Sequence, residues 1–444
     1  MTKVSFVSLG CAKNLCDTEV MLAKLASAGY IITPEAEDAD IVVVNTCAFI
    51  ESARQESIDN IIDLGWLKKH HKLRGIVCCG CLAERYESEI AEQLPEVDAI
   101  LGLGSIDEIV HAVKAVDNGE KFRSHKDKEC SALGGDRLVT TGSSAYLKIA
   151  EGCDNRCTYC AIPLIRGKMR SRPMEDIIAE AKDLDSLEIR ELCIVAQDTS
   201  RYGLDLYGEY KLAELVHRIT EETSIPWIRL LYLYPDKITD ELIAEMRDNP
   251  RVVKYADIPI QHISDHVLTA MGRHGSSAVV RDAVRRLRAA IPEVVLRTTV
   301  MVGFPGETEE DFRELCQFIR ETRFDRLGAF TYSPEEGTAA ASFPDPVDAQ
   351  TAQDRYDTVM SIQLAISADR CREQVGKMLR VLCEGYDIPA EIYVGRSEGD
   401  APDVDGRVFF RSNKKVAEGE FVTVRITEAQ DYDLVGERVD KRGE

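Results

Sequence analysis

Between residues 4 and 330 the sequence alternates short, β-branched apolar runs with stretches of helical period, and nothing else in it narrows the fold as far. A strand buried on both faces reads as a continuous apolar run, and parallel neighbours need a crossover, commonly a helix, so the alternation calls for an α/β architecture built on parallel sheets. The first three runs, 4–9, 41–44 and 75–79, each lead into a turn with a cysteine: Gly10-Cys11, Asn45-Thr46-Cys47 and Gly80-Cys81. Helical stretches over 17–28, with Met21, Leu22 and Leu25 on one face, and over 52–64 separate them, which gives a βαβαβ open sheet. Ligands of such sheets sit beyond the carboxyl ends of the strands, where all three cysteines fall.

The polar stretch 115–142, broken by Asn118-Gly119 and Gly134-Gly135, reads as a linker. Six further runs follow, 145–150, 191–196, 227–232, 255–260, 296–302 and 326–330, with helical stretches between them. They predict a partial (β/α)6 TIM-like barrel with its active face at the strand carboxyl ends. After Phe343-Pro344-Asp345-Pro346 comes a polar helix over 348–372, and then the period changes to short alternating strands, 379–383, 391–395, 407–410, 421–426 and one near 434. These predict a small antiparallel β-barrel, OB-like in size. The expected division is 1–120, a linker 121–140, a barrel 141–374 and a tail 375–444.

The chain of 444 residues is too long for one compact core, and 44% hydrophobic against 30% charged residues argues against disorder. Its 55 basic and 77 acidic residues leave a net charge of −22, a field that repels phosphate backbones and attracts basic partners. No apolar run approaches the roughly 18 residues of a spanning helix, and the first residues lack a signal-peptide pattern, so a cytoplasmic protein with no membrane contact is expected. Fourteen cysteines in such a chain raise metal or redox chemistry rather than disulfides.

Past the first barrel run stands Glu151-Gly152-Cys153-Asp154-Asn155-Arg156-Cys157-Thr158-Tyr159-Cys160. Thiolates spaced C-x3-C-x2-C in one tight loop suit three corners of a cubane iron-sulfur cluster and leave the fourth iron open to a small chelating molecule. A structural zinc site is the alternative, but zinc takes paired cysteines and a fourth ligand, and none stands nearby. Cys11, Cys47 and Cys81 form a second candidate set. Cys78 and Cys79 compete for the third place, although they lie within a strand whereas Cys81 lies past Gly80 in the loop. Cys130 and Cys193 receive no role.

The C-x3-C-x2-C loop at a parallel barrel's mouth resembles the radical S-adenosylmethionine enzymes, in which the cofactor's amino and carboxylate groups chelate the open iron. With the phrases around Cys11, Cys47 and Cys81 and the small terminal barrel, the likeness extends over the whole chain to the methylthiotransferases. What the resemblance implies is a 4Fe-4S cluster on Cys153, Cys157 and Cys160, a second on Cys11, Cys47 and Cys81, and a TRAM domain for a tail. In that family Tyr159 packs near the adenine, and Gly303-Phe304-Pro305-Gly306 walls the S-adenosyl-L-methionine pocket. From the residues alone, Gly303 and Gly306 read equally as a turn before a helix capped by Thr308 and Asp311. Gln197 and Asp198 follow the second barrel run as cofactor or substrate contacts, and their phrase resembles the branch that modifies a ribosomal protein. Gln261-His262 lines the site or belongs to the core. Leu101-Gly102-Leu103-Gly104-Ser105 is no nucleotide loop; Ser105 and Glu108 form a capping box instead.

Residues 375–444 hold 11 basic and 15 acidic side chains, which does not suit RNA. The loop 398–405 carries Glu398, Asp400, Asp403 and Asp405, and we expect it either to be solvated or to dock a basic protein. The resemblance implies an enzyme that places a methylthio group on the β-carbon of an aspartate in ribosomal protein twelve of the small subunit. It would use two adenosylmethionine molecules: one methylates a sulfur at the auxiliary cluster, and the other is cleaved to a deoxyadenosyl radical that abstracts hydrogen. A flavodoxin or ferredoxin is the expected reductant. The alternatives are a tRNA adenosine methylthiotransferase and a non-catalytic two-cluster electron carrier.

Overall fold

The computed structural model describes residues 1–130 and 133–440. The N-terminal sheet has six parallel strands in the order Ile31–Ile32, Lys3–Ser8, Ile41–Thr46, Gly75–Gly80, Ala99–Leu101, Phe122–Ser124. The two central strands are buried along their whole length, as continuous apolar runs require. The three short strands carry too little period to be read from sequence. One of them, Phe122–Ser124, lies in the stretch expected to be a linker and closes that side of the sheet. Ser105 does not cap a helix; its hydroxyl accepts the Lys126 amide and the Ser124 hydroxyl, both at 2.9 Å, and so ties this last strand down.

The second sheet is an open barrel wall of six parallel strands in sequence order, Ser144–Lys148, Glu191–Val195, Trp227–Leu230, Val252–Asp257, Val295–Val302 and Arg326–Thr331. Outward residues such as Ala145, Leu147, Leu192, Ile194, Ile228 and Leu230 pack under the surrounding helices. The inward alternates Tyr146, Cys193, Val195, Trp227, Val253 and Tyr255 would face an open lumen if the wall stood alone. Two other parts of the chain fill it. The helix Ala12–Ser27 brings Ala12, Leu15 and Cys16, and the tail brings Leu382, Ala401 and Phe421, whose ring meets Trp227 edge-on at 4.7 Å.

The tail is a closed five-stranded barrel, Met378–Asp387, Ile392–Ser397, Val408–Arg411, Leu434–Arg438 and Phe421–Ala429. Four of its pairings are antiparallel, and the one between Val408–Arg411 and Leu434–Arg438 is parallel. Its acidic loop is solvated only in part: Glu398 and Asp403 are exposed, whereas Asp400 and Asp405 turn toward the barrel. Asp400 is 2% exposed and pairs with Arg326 at 2.6 Å. Asp405 accepts the Tyr255 hydroxyl at 2.6 Å and lies 3.7 Å from Arg297, and Asp403 accepts the Tyr146 hydroxyl at 3.2 Å. Beside them Arg396 pairs with Glu191 at 2.6 Å, and Glu191 also holds Arg229 at 2.7 Å. Composition suggested surface because charge runs are usually solvated, but the basic residues of the barrel lumen supply buried partners. No helix among the described residues is long and apolar enough to cross a membrane.

Candidate active site

The three N-terminal loops meet because their backbones can approach closely. Gly10 and Gly80 have φ of +92° and +91°, a region glycine enters freely. A Cβ on Gly10 would stand 2.9 Å from the Cys47 sulfur, and one on Gly80 would stand 2.6 Å from the Thr46 carbonyl. Side chains then fasten the loops together. Asn14 donates to the Leu9 and Thr46 carbonyls, each at 2.9 Å, and Ser57 bridges the amide and carbonyl of Cys47 at 3.0 and 2.9 Å. Cys11, Cys47 and Cys81 share this pocket of loops, and Cys81 feels the charge of both others. Burial would raise the Cys11 pKa, yet the charges of Lys13 and Arg166 outweigh it and leave the thiol below its ordinary 9.0. Burial pushes Cys81 up to about 12 despite Arg166, so a metal there must displace its proton.

Cys78 and Cys79 are fully buried in the strand Gly75–Gly80. The Cys79 sulfur packs 3.9 Å from that of Met21, away from the loops. Cys81→Ala should therefore cost the auxiliary site its metal, whereas Cys78→Ala and Cys79→Ala should keep it; iron content and visible absorbance of the reconstituted variants decide, and the reverse pattern reassigns the ligand.

The second set of thiols is held from several directions. Cys153 donates its amide to the Gly167 carbonyl at 3.1 Å, the Thr158 amide and hydroxyl bond the carbonyls of Met271 and Ala270 at 2.9 and 2.8 Å, and Asn155 donates to Asp198 at 2.7 Å. Asp198 is 1% exposed, and its other oxygen accepts the Ser200 hydroxyl, so its carboxylate is spent on positioning the cysteine loop. Burial raises Cys153 to about 11 and Cys160 to about 12. The Cys157 sulfur lies 3.3 Å from the Tyr234 hydroxyl, over whose ring Arg273 stacks at 4.1 Å.

Tyr159 packs against Val267, Met271, Phe304 and Ala340, so the loop after the fifth barrel strand does stand beside the cysteine loop. Its two glycines differ. A Cβ on Gly303 would strike Ala352 at 2.6 Å, while Gly306, at φ +80°, faces open space. Thr308 and Asp311 form the expected helix cap. His262 is fully buried; its Nδ1 accepts the Ser264 amide at 3.0 Å and its Nε2 lies 3.6 Å from Glu307, which makes it a core residue.

A buried ionic network that sequence reasoning missed joins the two sets. Arg166 reaches the Cys81 sulfur at 3.8 Å and Asn14 at 2.5 Å with one nitrogen, and Asp17 at 3.2 Å and Glu151 at 2.8 Å with another. Lys148 bonds the same two carboxylates at 2.5 and 2.9 Å, and Gln197 donates to Glu151 at 2.7 Å while its own carbonyl oxygen stays buried without a partner. No local pattern marks these residues, because their meeting is made by the packing of the helix Ala12–Ser27 into the barrel. Only Glu151, two residues before Cys153, had a positional signal.

The donor sets fit clusters better than single ions. Every cysteine is a free thiol, and among the described residues no three His, Cys, Asp or Glu side chains close around one point as ligands of one ion do. Three soft thiolates are the donor set a cubane cluster takes, one on each of three irons.

Family comparisons agree with this architecture. Residues 3–102 match the uncharacterized protein family UPF0004, 147–319 the radical SAM superfamily and 375–439 the TRAM domain. Among solved structures, the radical S-adenosylmethionine methyltransferase TsrM from Kitasatospora setae, with tryptophan and a SAM analogue bound, superposes at a TM-score of 0.55 and 14% identity over 88% of this chain and 80% of that one, a likeness of fold. The ribosomal protein uS12 methylthiotransferase RimO of Caldicellulosiruptor saccharolyticus is 47% identical, covering 98% of this chain and 100% of its own. That of Pelotomaculum thermopropionicum is 48% identical, covering 98% and 99%. The chain belongs to the RimO family of radical SAM methylthiotransferases and is an enzyme that transfers sulfur-containing groups.

Proposed function

We propose that this enzyme methylthiolates the β-carbon of an aspartate in ribosomal protein uS12, in the cytoplasm, with two adenosylmethionine molecules and two 4Fe-4S clusters. One would be held by Cys11, Cys47 and Cys81, the other by Cys153, Cys157 and Cys160. The observation that carries this reading is the bridge between the sets: one guanidinium, Arg166, touches the Cys81 sulfur and Glu151, which leads into the Cys153 loop. Bound there, the clusters supply one-electron cleavage of adenosylmethionine and a sulfur to transfer, chemistry that breaks an unactivated C–H bond and that no side chain can perform.

The chain's own residues bind and shield. Tyr159 and the Gly303–Gly306 loop form the wall on which an adenine can stack, with Gly306 leaving open space. The unpartnered Gln197 oxygen is a fixed acceptor suited to a cofactor's ammonium. Asp198 positions the cysteine loop through Asn155. Tyr234 and Arg273 cover Cys157 and keep water from it. A small reduced flavodoxin or ferredoxin is the proposed electron donor.

Mass spectrometry of small-subunit proteins from cells with and without this chain tests the reading. One methylthio group on an aspartate of uS12, present only with the chain, supports it; unmodified uS12 beside a chain-dependent change in tRNA adenosine would replace it with the tRNA-modifying alternative.

A further inference from the structure

Arg166 has a counterpart on the other side of the two cysteine sets. Arg85 ends the short helix Cys81–Arg85, four residues past Cys81. One of its nitrogens donates to the Ala48 carbonyl, next to Cys47, at 2.8 Å and to the Glu335 carboxylate at 3.2 Å, and the other donates to the Glu336 carbonyl at 3.0 Å. The Arg85 and Glu335 side chains are 7% and 6% exposed. Ala48 belongs to the N-terminal domain, whereas Glu335 and Glu336 lie in the loop after the last barrel strand, Arg326–Thr331.

That loop runs on as a strap to the other cysteine set. The Glu335 carbonyl accepts the Thr338 amide at 3.1 Å and its hydroxyl at 2.7 Å, and the Glu335 carboxylate accepts the Ser333 hydroxyl at 2.9 Å, so the strap is folded on itself around the residue Arg85 holds. Further along, the Ala340 amide donates to the carbonyl of Thr158, between Cys157 and Cys160, at 2.9 Å. Ala340 and Phe343 pack in the same cluster as Tyr159, and a Cβ on Gly337 would stand 3.0 Å from Leu164, just past Cys160. A buried ion pair holds two domains together no better than an apolar pair of the same size. What a guanidinium adds is direction, because its planar fork fixes the angles to its acceptors.

Resting on the two-cluster reading, we propose that Arg85 is a positioning residue that sets the spacing of the two cysteine sets. It pins the Cys47 loop and the Cys81 helix to the strap that also holds the loop of Cys157 and Cys160. Arg166 supplies one attachment between the sets and Arg85 a second, and two attachments remove the rotation that one alone would allow. The sulfur to be transferred and the site of hydrogen abstraction then keep a single separation.

The test uses the anaerobically reconstituted full chain carrying Arg85→Met, alone and together with Glu335→Met. The double variant removes the buried pair entirely, so its urea stability should return toward wild type while the lost direction does not. Both variants should keep the iron content and adenosylmethionine cleavage of wild type. The dipolar coupling between the reduced clusters, read by pulsed electron paramagnetic resonance, should spread over a range of distances. Methylthio groups transferred to uS12 per deoxyadenosine formed should fall by about 100-fold, as a misplacement of about 1 Å can cost. The proposal is overturned if Arg85→Met keeps either the coupling or the ratio of wild type, or if the double variant recovers both together with its stability, which would make the pair structural only. Loss of auxiliary iron from both variants also overturns it, because Arg85 would then hold the ligands and not their spacing. A wild-type chain with one cluster overturns the two-cluster reading and this proposal with it. Two clusters without transfer to uS12 overturn the uS12 reading, and the dipolar coupling still decides on Arg85.

Discussion

Cys153, Cys157 and Cys160 changed together to alanine should leave a folded chain that holds half of its iron and no longer cleaves adenosylmethionine. Methylthiolation should fall to the uncatalysed level, a loss of more than about 10⁶-fold. The fold should survive because the loop is fastened through Gly167, Met271, Ala270 and Asp198, by bonds that do not involve the sulfurs. Iron and sulfide analysis with assay of deoxyadenosine formation decides the matter. Cleavage that persists in the triple variant would place the radical-generating site elsewhere, and unaltered iron would deny these thiols a cluster.

The largest effect on stability should come from Arg166→Met. The change leaves Asp17 and Glu151 buried with Lys148 as their only cation and strips a donor from Asn14. Breaking such a pair while its partners stay buried costs about 3–5 kcal/mol. Arg166→Lys should recover only part of this, because an ammonium cannot reach Asn14 and both carboxylates with the geometry of a planar fork. Urea unfolding of the metal-free chain measures it, and a loss below about 1 kcal/mol would show the network to be marginal. The pH dependence has a fixed sign. Burial opposes the charged form of Glu151, but Arg166 and Lys148 prevail and hold its carboxyl well below the ordinary 4.5. Its contribution is complete above about pH 4.5 and is lost as the pH falls below that value, so the acid limb of the stability curve should flatten in Arg166→Met.

The two cysteine sets were legible because each thiol is announced locally, by spacing in one loop or by a glycine turn after an apolar strand. The alternation of elements revealed both parallel sheets for the same reason, since buried parallel strands leave a continuous apolar signature. Strands of two or three residues, such as Ile31–Ile32 and Phe122–Ser124, are too short to carry a period and were not seen. Lys148 and Arg166 were invisible for a different reason: a charged residue reads as surface until its partners are known, and Asp17, which both contact, comes from a segment far away in the chain. The same blindness turned Asp400 and Asp405 into an imagined docking face, when Arg326, Arg297 and Tyr255 had already claimed them. Asp198 was expected as a cofactor or substrate contact, and its carboxylate oxygens are taken up by Asn155 of the cysteine loop and by Ser200.

The tail loop inside the barrel has a consequence for how this enzyme can be rebuilt. Its TRAM domain is not a cassette. Asp400, Asp403 and Asp405 meet Arg326, Tyr146 and Tyr255 on three different strands, and Glu191 meets Arg396 in return, so the two parts carry halves of one code. A chimera that took its tail from a relative lacking these acids would leave Arg326 unmatched and the Tyr146 and Tyr255 hydroxyls without their acceptors, and exchange of tails between members should succeed only when the loop and its barrel partners are moved together.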